Sequence, residues 1–146
     1  MTRDEVYLVQ TDTTVGFLSS SPKKLNQIKN RPLTQQVLVT TTTFKTLKNL
    51  ARVPQKFKKE VRRAKKTTFI YPNKKAVRVI KDNYHEKFLR DFEFCYSTSA
   101  NPTNKSFLRE FAVEKADVIV EDGRGFDEKN PSSLIKLSKR LKKKLR

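Results

Sequence analysis

The chain of 146 residues carries 33 Lys and Arg against 15 Asp and Glu, a formal charge of +18, and only 36% of its residues are apolar. That length suits one domain with an economical core, and the charge excess, far beyond what solubility asks for, predicts a polyanionic partner, nucleic acid ahead of membrane. No apolar run approaches the roughly 18 residues of a spanning helix, and the opening Met1-Thr2-Arg3-Asp4-Glu5 lacks the apolar middle of a signal peptide, so a cytoplasmic protein with no membrane partner is expected.

Val6-Tyr7-Leu8-Val9 is short, apolar and rich in strand formers, and it runs into a hydroxyl-dense loop from Gln10 to Gly16. Ser21 as N-cap and Pro22 in the first turn open a helix with Leu25 and Ile28 as its apolar stripe. Pro32 stops it and leaves Lys29 and Arg31 at its end. Val37 to Thr41 reads as a second strand, followed by a short helix carrying Phe44, Leu47, Leu50 and Ala51. From Lys45 to Lys66 there are ten basic residues and one acid, Glu60, within a segment whose helix turns Phe57 and Val61 inward.

Thr67 to Tyr71 and Ala76 to Ile80 are two further strands, joined as a hairpin by Pro72-Asn73-Lys74-Lys75. Asn83 with Glu86 resembles a capping box, ahead of a helix whose apolar face is Phe88, Leu89 and Phe92. The single histidine, His85, lies among charged helix residues, and the single cysteine, Cys95, lies among aromatics. One of each makes a zinc site or a Cys-His nucleophile improbable and excludes an intramolecular disulfide, and Cys95 is expected to be a buried core thiol.

A strand into Ser97, a helix near Ser106 to Ala112 and a strand Ala116 to Val120 closed by Glu121-Asp122-Gly123-Arg124-Gly125 follow. At the C-terminus Leu134, Leu137, Leu141 and Leu145 keep helical spacing, yet Ser132 to Leu137 also reads as a strand trailed by a basic tail. Interleaved strands and helices with local hairpins predict an α/β fold with a twisted mixed sheet flanked by helices, in a single domain over residues 1–146.

Three polar sets stand out. Thr11-Asp12-Thr13-Thr14 is a hydroxyl loop, Lys29-Asn30-Arg31-Pro32 a cationic helix end, and Tyr96-Ser97-Thr98-Ser99-Ala100-Asn101-Pro102 an uncharged polar stretch at a strand end in a chain where a third of all residues are charged. With only Gly16, Gly123 and Gly125 present, neither a glycine-rich phosphate loop nor a dinucleotide fingerprint can be written. Nucleotide binding, if it occurs, falls to side chains.

Taken in order, these sets resemble the YrdC-like threonylcarbamoyl-AMP synthase family (the YrdC/YciO/YwlC-like domain). Its members carry a P-T-D/E-T loop after the first strand, K-x-R-P at the end of the first helix, an S/T-R or V-R strand and an S-x-S-A-N stretch. Here these read Thr11-Asp12-Thr13, Lys29-Asn30-Arg31-Pro32, Val77-Arg78-Val79 and Ser97-Thr98-Ser99-Ala100-Asn101. Pro131-Ser132-Ser133-Leu134-Ile135 looks like the family's closing P-S-T-I/V strand, which favours strand plus basic tail, about residues 138–146, for the C-terminus. Asp117 to Gly123 also matches.

The resemblance implies a YrdC/RibB-like fold and a nucleotidyltransferase. It would join L-threonine, bicarbonate and ATP into threonylcarbamoyl-AMP, releasing pyrophosphate, for threonylcarbamoyladenosine at position 37 of tRNA. Lys29, Arg31, Ser99 and Asn101 are the implied catalytic set, and Thr11 and Thr13 the implied threonine seat. Arg78, Ser97 and Ser133 join Lys29, Arg31, Ser99 and Asn101 in binding the nucleotide. ATP enters as substrate, Mg2+ rides on its phosphates and needs no protein metal site, and threonylcarbamoyl-transfer proteins are downstream partners.

The sequence departs from that pattern at several points. Gln10 stands where the family has proline, Val15 where an aromatic precedes the loop glycine, and Phe17-Leu18-Ser19 where a second glycine falls, which puts a bulky residue in the expected loop. Ala64-Lys65-Lys66-Thr67 replaces a G-P-x-T segment. These departures and the charge leave a second class open, a non-catalytic member binding double-stranded RNA or tRNA. Lys56, Lys58, Lys59, Arg62, Arg63, Lys65 and Lys66, with Lys142, Lys143 and Lys144 of the tail, would contact phosphates that position without reading sequence.

Overall fold

The computed structural model describes residues 4–146, so the reading of the N-terminus over Met1–Arg3 lies outside the described residues. The chain folds as two compact units, one of Met1–Val37 with Cys95–Pro131 and one of Leu38–Phe94 with Ser132–Arg146. Both mix parallel and antiparallel strands with helices, the α/β class expected.

In the first unit β1 (Tyr7–Gln10) and β2 (Val15–Ser19) form an antiparallel hairpin, β7 (Val118–Val120) adds parallel to β1, and β6 (Cys95–Ser99) adds antiparallel to β2. The strand β2 was not expected from the sequence, which put Phe17 in a loop. The apolar run Val15-Gly16-Phe17-Leu18 was the signal for it, masked by the glycine. As a strand it alternates, and Phe17 points to the face where it pairs with Leu8 and meets Phe111 of α5 (Arg109–Lys115), ring centroids 6.2 Å apart. Its bulk therefore fills the core and not the hydroxyl loop.

Val6, Leu8, Val15, Phe17, Leu25, Val37, Ala100 and Ala112 make that core, closed by Ile28 of α1 (Pro22–Ile28) and by Phe107 and Phe111. Ser21 caps α1, its hydroxyl accepting from the Lys24 amide, as its place before Pro22 dictates. Helix α5 starts three residues later than the Ser106 expected.

In the second unit β3 (Leu38–Thr41) lies parallel to β5 (Ala76–Val79), which pairs antiparallel with β4 (Thr67–Ile70). Next to β4 runs β8 (Ser133–Leu137), parallel to it, and β9 (Lys142–Lys144) closes the edge antiparallel to β8. The basic tail, though exposed, is thus not an irregular extension. A turn in which the Ser138 amide and the Leu141 carbonyl bond at 2.8 Å folds it back as a strand, with Lys136 opposite Lys143 and Leu137 opposite Lys142. The helices are α2 (Phe44–Leu50), α3 (Lys58–Arg63), preceded by a 3-10 turn at Gln55–Phe57, and α4 (Asn83–Leu89). The side chain of Asn83, on which the capping-box expectation rested, lies outside what is described. Asp82 supplies the cap, its Oδ1 accepting from the amides of Tyr84 and His85 at 3.0 Å each.

Cys95 is fully buried, and burial pushes its thiol up to about 12, in line with a core role. Among the described residues no helix is long and apolar enough to cross a membrane. Phe17→Ala, which empties the centre of the first unit, is expected to cost about 3–5 kcal/mol in urea unfolding. A loss below about 1 kcal/mol would contradict the position assigned to that ring.

Candidate functional site

The first unit builds its site where α1 ends beside the end of β6. The Asn30 amide bonds the Gln27 carbonyl at 3.2 Å and the Arg31 amide the Asn26 carbonyl at 2.9 Å, with Asn30 at φ 53°. This pair of bonds about a left-handed residue is a Schellman cap, and asparagine tolerates that conformation better than other side chains. The Lys29-Asn30-Arg31-Pro32 sequence is therefore a chain reversal as well as a charge cluster. Asn26, buried on the same helix, holds the segment that leaves it by donating to the carbonyls of Leu33 (3.3 Å) and Gln35 (2.8 Å).

The Lys29 ammonium reaches four oxygens of β6 and its exit: the Ser99 carbonyl at 3.1 Å and hydroxyl at 3.4 Å, and the Asn101 carbonyl at 2.6 Å and side-chain Oδ1 at 3.2 Å. The hydroxyl of Thr103 donates in turn to the Lys29 carbonyl. Lys29 is only 5% exposed, and burial first, then the nearby Arg31, pushes its ammonium down to about 8. Arg31 donates through Nη2 to the Thr98 hydroxyl at 3.4 Å, its Nε is buried without a hydrogen-bond partner, and burial lowers its pKa as well.

Neither cation forms an ion pair with a carboxylate among the described residues. Two adjacent, partly desolvated positive charges held by neutral oxygens attract an anion. The amide nitrogen of Asn101 donates to the carbonyls of Pro102 (3.0 Å) and Lys105 (2.6 Å), which leaves its Oδ1 turned to Lys29.

The hydroxyl loop 11–14 lies against the same strand. Gly16 pairs with Ser99, and a Cβ on it would come within 3.1 Å of both the Thr98 carbonyl and the Thr11 methyl group, so the close approach needs glycine. Thr11 and Thr13 are buried, their hydroxyls 3.3 Å apart, and Thr11 Oγ1 also donates to the Thr14 carbonyl at 2.5 Å.

Gln10, in the place of the family's proline, is 2% exposed and ties the loop down. Its Oε1 accepts from the Asp127 amide at 2.7 Å, and its backbone carbonyl accepts from Arg124 Nη2 at 3.0 Å. Asp122 in turn grips Arg124, which holds its carboxyl below the usual range. With the Lys129 amide on Thr14 Oγ1 at 3.2 Å, the segment 122–129 is strapped across the loop. Between strap and β6 opens a cleft of about 170 Å3, bordered by Thr14, Ser99, Asn101, Phe107, Glu128 and Lys129.

The structure thus brings together Lys29, Arg31, Ser99 and Asn101, with Ser97 buried two residues upstream on β6, while Thr11 and Thr13 are buried within their loop and Thr14 borders the cleft in their place. Arg78, 3% exposed on β5, and Ser133 on β8 belong to the second unit. Sequence reasoning missed Gln10 as a clamp, Thr98 as the partner of Arg31, and Thr103, Glu128 and Lys129. Thr98 was within the motif; the others carry no local signal.

The ten basic residues assigned to RNA are exposed and all lie in the second unit. Lys56 donates to the Arg140 carbonyl at 3.0 Å and Lys142 pairs with Glu60, so the 3-10 turn and α3 are joined to the β8–β9 hairpin.

The site is thus a cation pair resting on neutral hydroxyl and amide groups at the end of a mixed sheet in an α/β protein. The family model named for Sua5, YciO and YrdC, described as telomere recombination, matches residues 1–146, and the chain belongs to that family. Among solved structures it is similar to P. abyssi Sua5 complexed with L-threonine (18% identity, TM-score 0.78, covering 97% of this chain and 50% of that one). It is also similar to E. coli YciO (15% identity, TM-score 0.77, covering 98% and 82%) and to T. kodakarensis HypF (14% identity, TM-score 0.73, covering 90% and 21%). The chain spans about half the length of the Sua5 chains it matches. No curated protein matches it.

The Lys29 ammonium is charged below about 8 and neutral above. An anion held by it is bound at full strength below that pH and released as pH rises through it. With ATP as the anionic probe, affinity measured by calorimetry is expected to fall across that range in the unmodified protein, and to be weak and flat in Lys29→Gln. A flat profile in the unmodified protein would remove Lys29 from the anion site.

Proposed function

We propose that this protein is a threonylcarbamoyl-AMP synthase-like nucleotidyltransferase acting in tRNA modification. The reading is carried by the meeting of Lys29 with Ser99 and Asn101 and of Arg31 with Thr98, some 70 residues away in the chain, with neither cation compensated by any described carboxylate. It is supported by membership of the family and by the likeness to a Sua5 solved with L-threonine.

The reaction gathers bicarbonate, a triphosphate and an amino-acid carboxylate. The amine of threonine attacks the carbonyl carbon, water is lost, and the carbamate oxygen then displaces pyrophosphate from the α-phosphorus. Holding such anions in line is a matter of position and charge. Lys29 offers a point charge whose ammonium is set by Ser99 and Asn101. Arg31 offers a planar fork with a buried, unspent Nε.

Thr11 and Thr13 are assigned to threonine on the motif alone, and Ser97 shapes the strand that carries the site. Arg78 and Ser133 are assigned to the nucleotide on the motif alone. Among the described residues no group of three or more His, Cys, Asp or Glu could hold a metal ion, and Mg2+ enters under this reading as the ATP complex. The product passes to threonylcarbamoyl-transfer proteins.

Threonine- and bicarbonate-dependent pyrophosphate release from ATP tests it. Turnover is expected, falling at least about 100-fold in Lys29→Ala and in Asn101→Ala. A folded protein without turnover would overturn the enzyme reading.

A second reading, a double-stranded RNA or tRNA binder, is favoured by the way Lys56 and Lys142 join α3 and the C-terminal hairpin into one basic surface. Its affinity for a tRNA duplex is expected to fall steeply with salt, and Lys143→Gln to lower the slope of log K against log salt by about 1. Binding indifferent to salt would exclude it.

A further inference from the structure

A second cleft, of about 410 Å3, opens in the second unit between α2 and α3. Phe44 and Val53, both half-buried, present apolar surface to it, and Leu47 and Val61 close it from behind. Its rim is Lys48, Arg52, Lys58 and Arg62, all exposed, and none of the four forms an ion pair among the described residues. Behind that lining the Lys81 ammonium lies 5.6 Å over the Phe44 ring and donates to the Arg62 carbonyl, joining the two sides. The nearest acid on α3, Glu60, is turned to Lys142 and does not border the cleft.

We propose that this cleft is a binding site for one small organic anion with an apolar body, an aryl or acyl carboxylate, sulfonate or phosphate. The volume falls within the range of small-molecule sites, which pair an apolar lining with a few placed polar groups. Four rim cations without counter-charge supply the attraction for the anionic head. The half-buried Phe44 and Val53 are what a bare phosphate or a nucleic-acid backbone would not use, since phosphate contacts need charge alone. The occupant therefore has both parts, and the four rim cations favour one with negative charge at a single end.

The site is independent of the reaction proposed for the first unit. Fluorescence titration with 1-anilinonaphthalene-8-sulfonate, an aryl sulfonate, tests it. One equivalent is expected to bind, displaced by decanoate but not by inorganic sulfate at matched ionic strength. Lys58→Gln/Arg62→Gln, two exposed positions, should weaken binding at least about tenfold with thermal unfolding unchanged, while Lys29→Gln leaves it intact. Unchanged affinity in the double variant, loss of binding in Lys29→Gln, or displacement by sulfate as good as by decanoate would each overturn the proposal.

Discussion

The buried ammonium of Lys29 is the constraint on which the first unit turns. Taking a charge out of water costs several kcal/mol unless other groups replace the lost hydration. Here that replacement is four oxygens of Ser99 and Asn101. To deliver it, α1 must end where it does, and the Schellman cap at Asn30 and the buried amide of Asn26 fix that end. β6 must stop with its carbonyls facing the helix, and the bonds from Asn101 to Pro102 and Lys105 arrest it there. All the acceptors are neutral, so the positive charge of Lys29 and Arg31 is solvated locally but not cancelled.

The departures from the family pattern acquire separate physical meanings. Gln10 gives up the rigidity of a proline but gains an oxygen that accepts from Asp127, so the hydroxyl loop is held from the strap side instead of by its own backbone. Phe17 in place of a glycine costs the loop nothing, because strand alternation sends its ring to Phe111. The glycine that is kept, Gly16, is the one where β6 and the Thr11 methyl group approach too closely for a side chain. Lys66, in the segment that replaces G-P-x-T, takes a left-handed backbone with φ 51° on the way into β4, a strain that a glycine would avoid.

The charge of the second unit has a structural use beside any partner. β9 is an edge strand, and three successive lysines on it discourage pairing with another chain. The same lysines lie beside the cations of α3, and mutual repulsion between the two is eased by the one acid between them, Glu60 on Lys142. The positive potential that results is a property of the surface and carries no sequence preference of its own.

Much of this molecule was legible from residue order alone. Strand composition, Ser21-Pro22 and Pro32 placed the early elements, and Lys29-Asn30-Arg31-Pro32 with Ser97 to Asn101 named the residues that meet. Those are local signals, set by backbone sterics, capping and side-chain chemistry within a few residues. The tail was read as a basic extension beyond the last strand because a run of lysines has no strand signature, and only pairing with Ile135 to Leu137 makes it β9. β2 was hidden because its glycine looks like a loop until Thr98 and Thr11 are seen on either side of it. The direction of each polar group could come only from the fold. Whether Asn101 offers its oxygen or its nitrogen to the site, and whether Gln10 reaches Asp127, depends on atoms more than 70 residues apart brought within 3.3 Å, a proximity that no local preference encodes.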